Sequence, residues 1–169
     1  VIAAVRSLGL TGYVNTSYPR GLASLVDGAP NRYAVVDVGT NSIKFHVAEQ
    51  SPEGRWRTVA DRAEITRLGE GLDQTRRIGD AALERAVAAI KGMVEEARQQ
   101  GVLAIVAVGT AGLRIAENRN EILAAIERRA GVHVEVISGE DEARLAYLAA
   151  RSSLDLASKK RIPSSDNSQ

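Results

Sequence analysis

The sequence contains no cysteine, which excludes disulfide staples, thiolate zinc sites and cysteine nucleophiles and fits a reducing compartment. It also lacks a charge bias, since 22 Lys and Arg stand against 21 Asp and Glu, for a formal net charge of +1. Bulk electrostatics therefore gives no reason to expect a nucleic acid or a membrane as partner, and an anionic ligand needs a local site. No apolar run reaches bilayer-spanning length. The opening VIAAVRSLGL has neither a basic leader nor a small-residue cleavage site, so it does not read as a signal peptide, and the cytoplasm is the expected compartment. No internal repeat or heptad array occurs. His46 and His133 each lie on an alternating stretch, and without cysteine no metal-ligand set forms around them.

What is present is an ordinary globular composition, 44% hydrophobic and 25% charged over 169 residues, enough for one domain with a real core. Residues 1–32 read as an unassigned extension that ends in a turn at Gly28, Pro30 and Asn31. Tyr33 to Val38 has the pattern of a buried strand, and Ile43, Phe45 and Val47 then alternate with Lys44, His46 and Ala48 as in a half-exposed one. A turn at SPEG leads to RWRTVADRAEITRLG, which reads as a third strand on which Trp56, Thr58 and Ala60 are expected to share a face. The period then changes. Leu83, Val87, Ile90, Val94 and Ala97 mark one stripe of a helix over 80–100, started by Gly79 or Asp80 and ended by Gly101.

VLAIVAV at 102–108 reads as a strand buried on both faces, a helix follows at about 120–130 with Gly131 as its cap, and VHVEVI at 132–137 reads as another strand. The order β-β-β-α-β-α-β-α predicts an α/β domain with a mixed sheet flanked by helices. The first residue is not Met and the end, SKKRIPSSDNSQ, is polar and Ser-rich, so residues 152–169 are expected to be a disordered tail and the chain a fragment.

Three stretches could carry chemistry. In VVDVGTNSIKF, Gly39 and Asn41 suit the positive-φ positions of a hairpin turn, and short polar side chains close such turns. Asp37 fits that reading less well, since a carboxylate in an apolar strand is costly unless the strand end uses it. Small residues followed by inward-facing amides also make a phosphate concavity, and the local pattern leaves turn and phosphate loop both open. In SGEDEARL, Ser138 followed three residues later by Asp141 resembles a capping box that starts a helix near Gly139. Glu140, Asp141 and Glu142 then complement the helix dipole, which on spacing alone is the more economical account. A strand immediately before them places this helix start where α/β sheets collect ligands. In VGTAGLRI, a Gly-rich connection after a buried strand carries Arg114, either a surface residue or a guanidinium delivered to an anion.

The segments YAVVDVGTNSIKF, TRLGEGLDQTRRIGDAALERAVAAI, VAVGTAGLR and VHVEVISGEDEARLAYLAA, in that order, closely resemble the exopolyphosphatase and guanosine pentaphosphate phosphohydrolase (Ppx/GppA) family, from Tyr33 to about Ala150. The resemblance implies the N-terminal, ribonuclease-H-like domain of an actin-like ATPase fold over residues 33–151. It implies a hydrolase of phosphoric anhydrides that releases orthophosphate from the end of polyphosphate or from guanosine pentaphosphate. Asp37, Gly39, Thr40, Asn41, Ser42 and Arg114 would bind phosphate and Glu142 would be the base. Mg²⁺ is implied as cofactor, held by Asp37 directly or through water, and a homodimer is implied for the full-length form. The family's second phosphate loop and second domain have no counterpart in this sequence, which implies an incomplete site. The alternatives are a truncated, non-catalytic remnant that only binds polyanions, or a fragment of another actin-like ATPase.

Overall fold

The structure, a computed structural model, describes residues 31–147, so the expected polar tail and residues 1–30 of the expected extension lie outside the described residues, while Asn31 and Arg32, expected to close that extension, begin the first strand. Five strands, β1 (Asn31–Val38), β2 (Ser42–Gln50), β3 (Trp56–Ile65), β4 (Ala104–Gly109) and β5 (Val134–Val136), form one sheet in the order β3-β2-β1-β4-β5. The first three make an antiparallel meander, whereas β4 runs parallel to β1 and β5 parallel to β4. The mixed α/β sheet expected from the strand and helix order is therefore the one observed. Helices are α1 (Leu72–Thr75), α2 (Asp80–Gln99), α3 (Ala111–Ile115), α4 (Arg119–Ala130) and α5, which begins at 139 and is described to 147. The two short helices α1 and α3 occupy stretches that sequence periodicity leaves as connections. No helix among the described residues is long and apolar enough to cross a membrane.

Alternation along β1 decides which side is core. Ala34, Val36 and Val38 join Ile43, Phe45 and Val47 of β2 under the helices, and Tyr33 and Val35 pack with Ala48 on the opposite face. The buried stripe of α2 contains Val87, Ile90, Val94 and Ala97 as the spacing predicts, with Leu83 only partly buried. Ala82, Ala86, Ala89 and Met93 widen that stripe, and the three alanines let α2 lie close to its neighbours. Burial of the largest of these side chains, such as Phe45, Ile90 and Ile126, stabilises the fold by roughly 1.5–3 kcal/mol each. Gly79 caps α2 at its start, Gln100 at its end, and Gly101 follows in a left-handed conformation, φ 66°.

The third strand departs from expectation twice. Trp56, Thr58 and Ala60 do not share a face, because the register against β2 slips between Val47, opposite Ala60, and Ala48, opposite Thr58. Val59 is the extra residue of a β-bulge, and one extra residue reverses the alternation. Trp56 thus stays on the outer side against Tyr33, ring centroids 5.7 Å apart, while Ala60 turns to the core. The strand also ends at Ile65 rather than running on to Gly69. The Thr66 and Arg67 amides both donate to the Asn41 carbonyl, at 3.1 and 2.9 Å, and Arg67 has φ 49°, which no strand accommodates. The expected strand at 132–137 is likewise shorter, only Val134–Val136.

Asn118, at the start of α4, is 7% exposed and caps nothing with its side chain. It instead accepts from the Ile78 amide at 3.0 Å and donates to the Ile78 carbonyl at 2.9 Å, replacing a backbone partner for the residue that leads into α2. A surface cavity of about 440 Å³ beside Ile78, Asp80 and Asn118 includes none of the residues singled out above for chemistry. Asn118→Ala removes both bonds and leaves a buried amide and carbonyl unpaired. It is expected to lower stability by about 2–4 kcal/mol in urea denaturation, with the strand and helix content of the folded state unchanged.

Candidate active site

The carboxyl ends of β1, β4 and β5 meet at one edge of the sheet, and every residue singled out by sequence for ligand chemistry lies there. The Thr110 amide, just past β4, donates to the Val38 carbonyl at 3.3 Å, and the Ile137 amide, just past β5, donates to the Gly109 carbonyl at 3.1 Å. These bonds hold the three strand ends in step. The loop of Gly39, Thr40 and Asn41 rises from the same edge, with the Gly39 amide donating to the Ser42 carbonyl at 3.2 Å.

The reason for glycine in this loop is not the expected one. None of Gly39, Thr40 and Asn41 has positive φ. A Cβ at position 39 would instead lie 2.7 Å from the Ser42 carbonyl oxygen, so close approach of backbone to backbone is what excludes a side chain. Two distant glycines then fix Thr40. A Cβ at position 69 would lie 2.0 Å from Thr40 Cγ2, and one at position 112 would lie 3.0 Å from Thr40 Oγ1. The Gly69 amide also donates to the Thr40 carbonyl at 2.8 Å. With three bonds from residues 66–69 to its two carbonyls, the loop keeps one shape. The amides of Thr40 and Asn41 donate to no group among the described residues, which leaves both for an anion.

Ser138 and Asp141 form the capping arrangement expected from sequence. The Ser138 hydroxyl donates to Asp141 Oδ2 at 2.7 Å and accepts from the Asp141 amide at 3.0 Å. Glu142 follows on the first turn of α5, with its amide donating to the Ser138 carbonyl at 3.0 Å. Its carboxylate meets Arg114, whose Nη1 donates to Glu142 Oε2 at 2.9 Å and to the Ile137 carbonyl at 3.0 Å. Arg114 sits in the last turn of α3, so the Gly-rich connection is a short helix that delivers the guanidinium to α5. Both bonds use Nη1, and Nη2 and Nε have no partner among the described residues. Glu140 is exposed, in keeping with a dipole complement.

Asp37, the last outward-facing residue of β1, is the electrostatic oddity. Its Oδ2 lies 3.8 Å from Lys44 Nζ, but its Oδ1 is buried and has no hydrogen-bond partner among the described residues. Burial pushes its pKa above the ordinary aspartate value, the Glu142 carboxylate pushes it the same way, and Lys44 pulls it back. A carboxylate with an orphaned oxygen, next to a second carboxylate, suits a cation. The described residues hold no cluster of three His, Cys, Asp or Glu side chains, so the donor set fits an ion such as Mg²⁺, which retains water and takes one or two carboxylates with substrate phosphate. His46, 3.9 Å from Asp61, and His133, 3.3 Å from Glu127, take no part.

Sequence reasoning assigned no role to Thr66–Gly69, although TRLGEG stands out in the chain. A glycine that follows a left-handed non-glycine residue and opposes Thr40 was the available signal, and it becomes readable only when the tertiary neighbour is known.

The model of the Ppx/GppA phosphatase family matches residues 46–162. Exopolyphosphatase 1 of Mycobacterium tuberculosis is 28% identical over 120 residues, covering 71% of this chain and 35% of that protein. The guanosine-5'-triphosphate,3'-diphosphate pyrophosphatase of Aeromonas hydrophila is 37% identical over 115 residues, 68% of this chain and 23% of its own length. The crystal structure of the Aquifex aeolicus member of the Ppx/GppA family superposes with a TM-score of 0.68 at 31% identity, over 72% of this chain and 39% of that one. The chain thus spans about a third or less of the curated relatives it matches.

Two expected outcomes follow from this geometry. Gly69→Ala drives a methyl group into Thr40 and is expected to destabilise by about 1–3 kcal/mol, while Thr40→Ser, which removes Cγ2, recovers most of that loss in the double variant; urea denaturation of the four proteins gives the coupling. Asp37 binds its proton more tightly folded than unfolded, so its contribution to stability falls as pH rises from the unfolded value of 3.8 through the raised folded value. Asp37→Asn is accordingly expected to raise Tm at neutral pH, with the gain vanishing below the unfolded pKa, where the aspartate is protonated in both states.

Proposed function

Because the chain belongs to the Ppx/GppA phosphatase family, we propose that it supplies the phosphate-binding and base-bearing half of a phosphoric-anhydride hydrolase. The substrate is the terminal phosphoryl group of polyphosphate or of guanosine pentaphosphate, the two substrate classes suggested by the names of the relatives. The observation that supports this reading is that the Gly39–Ser42 loop, with two amides that have no acceptor among the described residues, and the hydrogen-bonded pair of Arg114 and Glu142 lie at one sheet edge.

Each group has a task in an in-line attack of water on that phosphoryl group. The Thr40 and Asn41 amides and the unused edge of the Arg114 guanidinium stabilise the equatorial oxygens, on which the transition state spreads its charge. Glu142 orients the water and accepts its proton. Asp37 would hold Mg²⁺ through its orphaned oxygen, directly or through water, and the ion would neutralise the charge of the polyanion when bound.

Polyphosphate binding by the 169-residue chain, and orthophosphate release by that chain completed with the family's second domain, both with Mg²⁺ present, test the proposal. Glu142→Gln is expected to lower kcat by about 10²–10⁴-fold with affinity little changed, because a base acts only in the transition state. Asn41→Ala and Arg114→Ala are expected to weaken binding instead. Binding without any phosphate release by the completed protein would replace the hydrolase reading by that of a polyanion-binding module. Near-native turnover in Glu142→Gln would remove the base assignment.

A further inference from the structure

The phosphate loop is shaped by the turn at 66–70, and that turn is itself under tension. Arg67 holds a left-handed backbone, φ 49°, without being glycine. Thr66 is 2% exposed and its Oγ1 is buried with no hydrogen-bond partner among the described residues. Both features disfavour the turn in isolation. Something outside must hold it, and one side chain reaches it from α2. Arg85 donates from Nε to the Thr66 carbonyl at 2.8 Å and from Nη2 to Glu70 Oε2 at 2.7 Å, gripping the turn at its two ends.

We propose that Arg85 is the positioning residue of the phosphate loop. It touches no ligand. It anchors the 66–70 turn to the longest helix of the domain, and the turn passes that order on through the three amides, of Thr66, Arg67 and Gly69, that donate to the Asn41 and Thr40 carbonyls. Those two carbonyls belong to the residues whose amides are left for an anion, so the direction of the donors depends on a guanidinium on another element. A planar fork suits this task, because one rigid group spans a carbonyl and a carboxylate that a single ammonium cannot bridge. The Arg85–Glu70 pair alone is exposed and worth little as an ion pair. Its value lies in holding geometry.

Amide hydrogen exchange on the 169-residue chain tests the first link without any ligand. In Arg85→Ala the Thr66, Arg67 and Gly69 amides are expected to exchange at least about ten-fold faster, with β1 and β4 unchanged, and Arg85→Lys is expected to lie between. Wild-type exchange at those three amides in folded Arg85→Ala overturns the proposal. The second link rests on the phosphate-binding reading above. Affinity for long-chain polyphosphate is expected to fall about ten-fold in Arg85→Ala, as a misplaced site does, with the dependence on salt unchanged, whereas Arg114→Ala flattens that dependence because an anion contact is lost. Equal flattening by both variants makes Arg85 a direct contact and overturns the positioning role. If the wild-type chain binds no polyphosphate, the proposed function falls, and exchange alone decides the role of Arg85.

Discussion

The parallel pairing of β1 with β4 is the constraint on which the rest depends. Tyr33 opposes Ala104 and Val38 opposes Gly109 along an unbroken ladder, so both strands finish at the same level. A hairpin connects only antiparallel neighbours, and the parallel partner must be reached by a crossover, which is what α2 provides. Once the two ends are level, the β1–β2 loop, the start of α3 and the start of α5 crowd one edge without further instruction. An α/β sheet collects ligands at such an edge for this reason, and here Arg114 and Glu142, far apart in sequence, come within a hydrogen bond of each other.

The same edge concentrates unfavourable electrostatics. Asp37 keeps a buried, unpartnered oxygen near a second carboxylate, and Lys44 at 3.8 Å compensates only in part. The loop itself leaves two amides without acceptors among the described residues. A fold selected for stability alone would pair donors with acceptors, and such local shortfalls cluster where a ligand is to complete them.

Periodicity made the main elements legible because each is a local signal: apolar residues at spacings of three and four over α2, alternation over β2, a short apolar run for β4. The capping serine at 138 was legible for the same reason, since its partner lies three residues away. What could not be read was set by contact between distant segments. Gly39 looks like a turn glycine and is one of close approach. Gly69 and Gly112 look like loop filler and in fact leave room for one threonine. Asn118, which no sequence pattern singles out, serves Ile78 from forty residues away. The Arg114–Glu142 pair joins two residues that sequence had assigned separately to phosphate and to water.

The bulge at Val59 gives β3 two halves that are out of phase. Before it, Trp56 and Thr58 face outward; after it, Ala60, Arg62 and Glu64 turn towards the helices, where Arg62 lies over the Phe45 ring at 5.3 Å and pairs with Glu64 and with Glu96 of α2. The strand therefore carries a one-residue frame marker. Deleting Val59 would join Thr58, opposite Ala48, directly to Ala60, opposite Val47, and restore regular alternation with Arg62 still opposite Phe45, whereas deleting a paired residue of the strand would put one half of it on the wrong face. A single gap within this strand therefore keeps every face only at the bulge, and alignments should place it there.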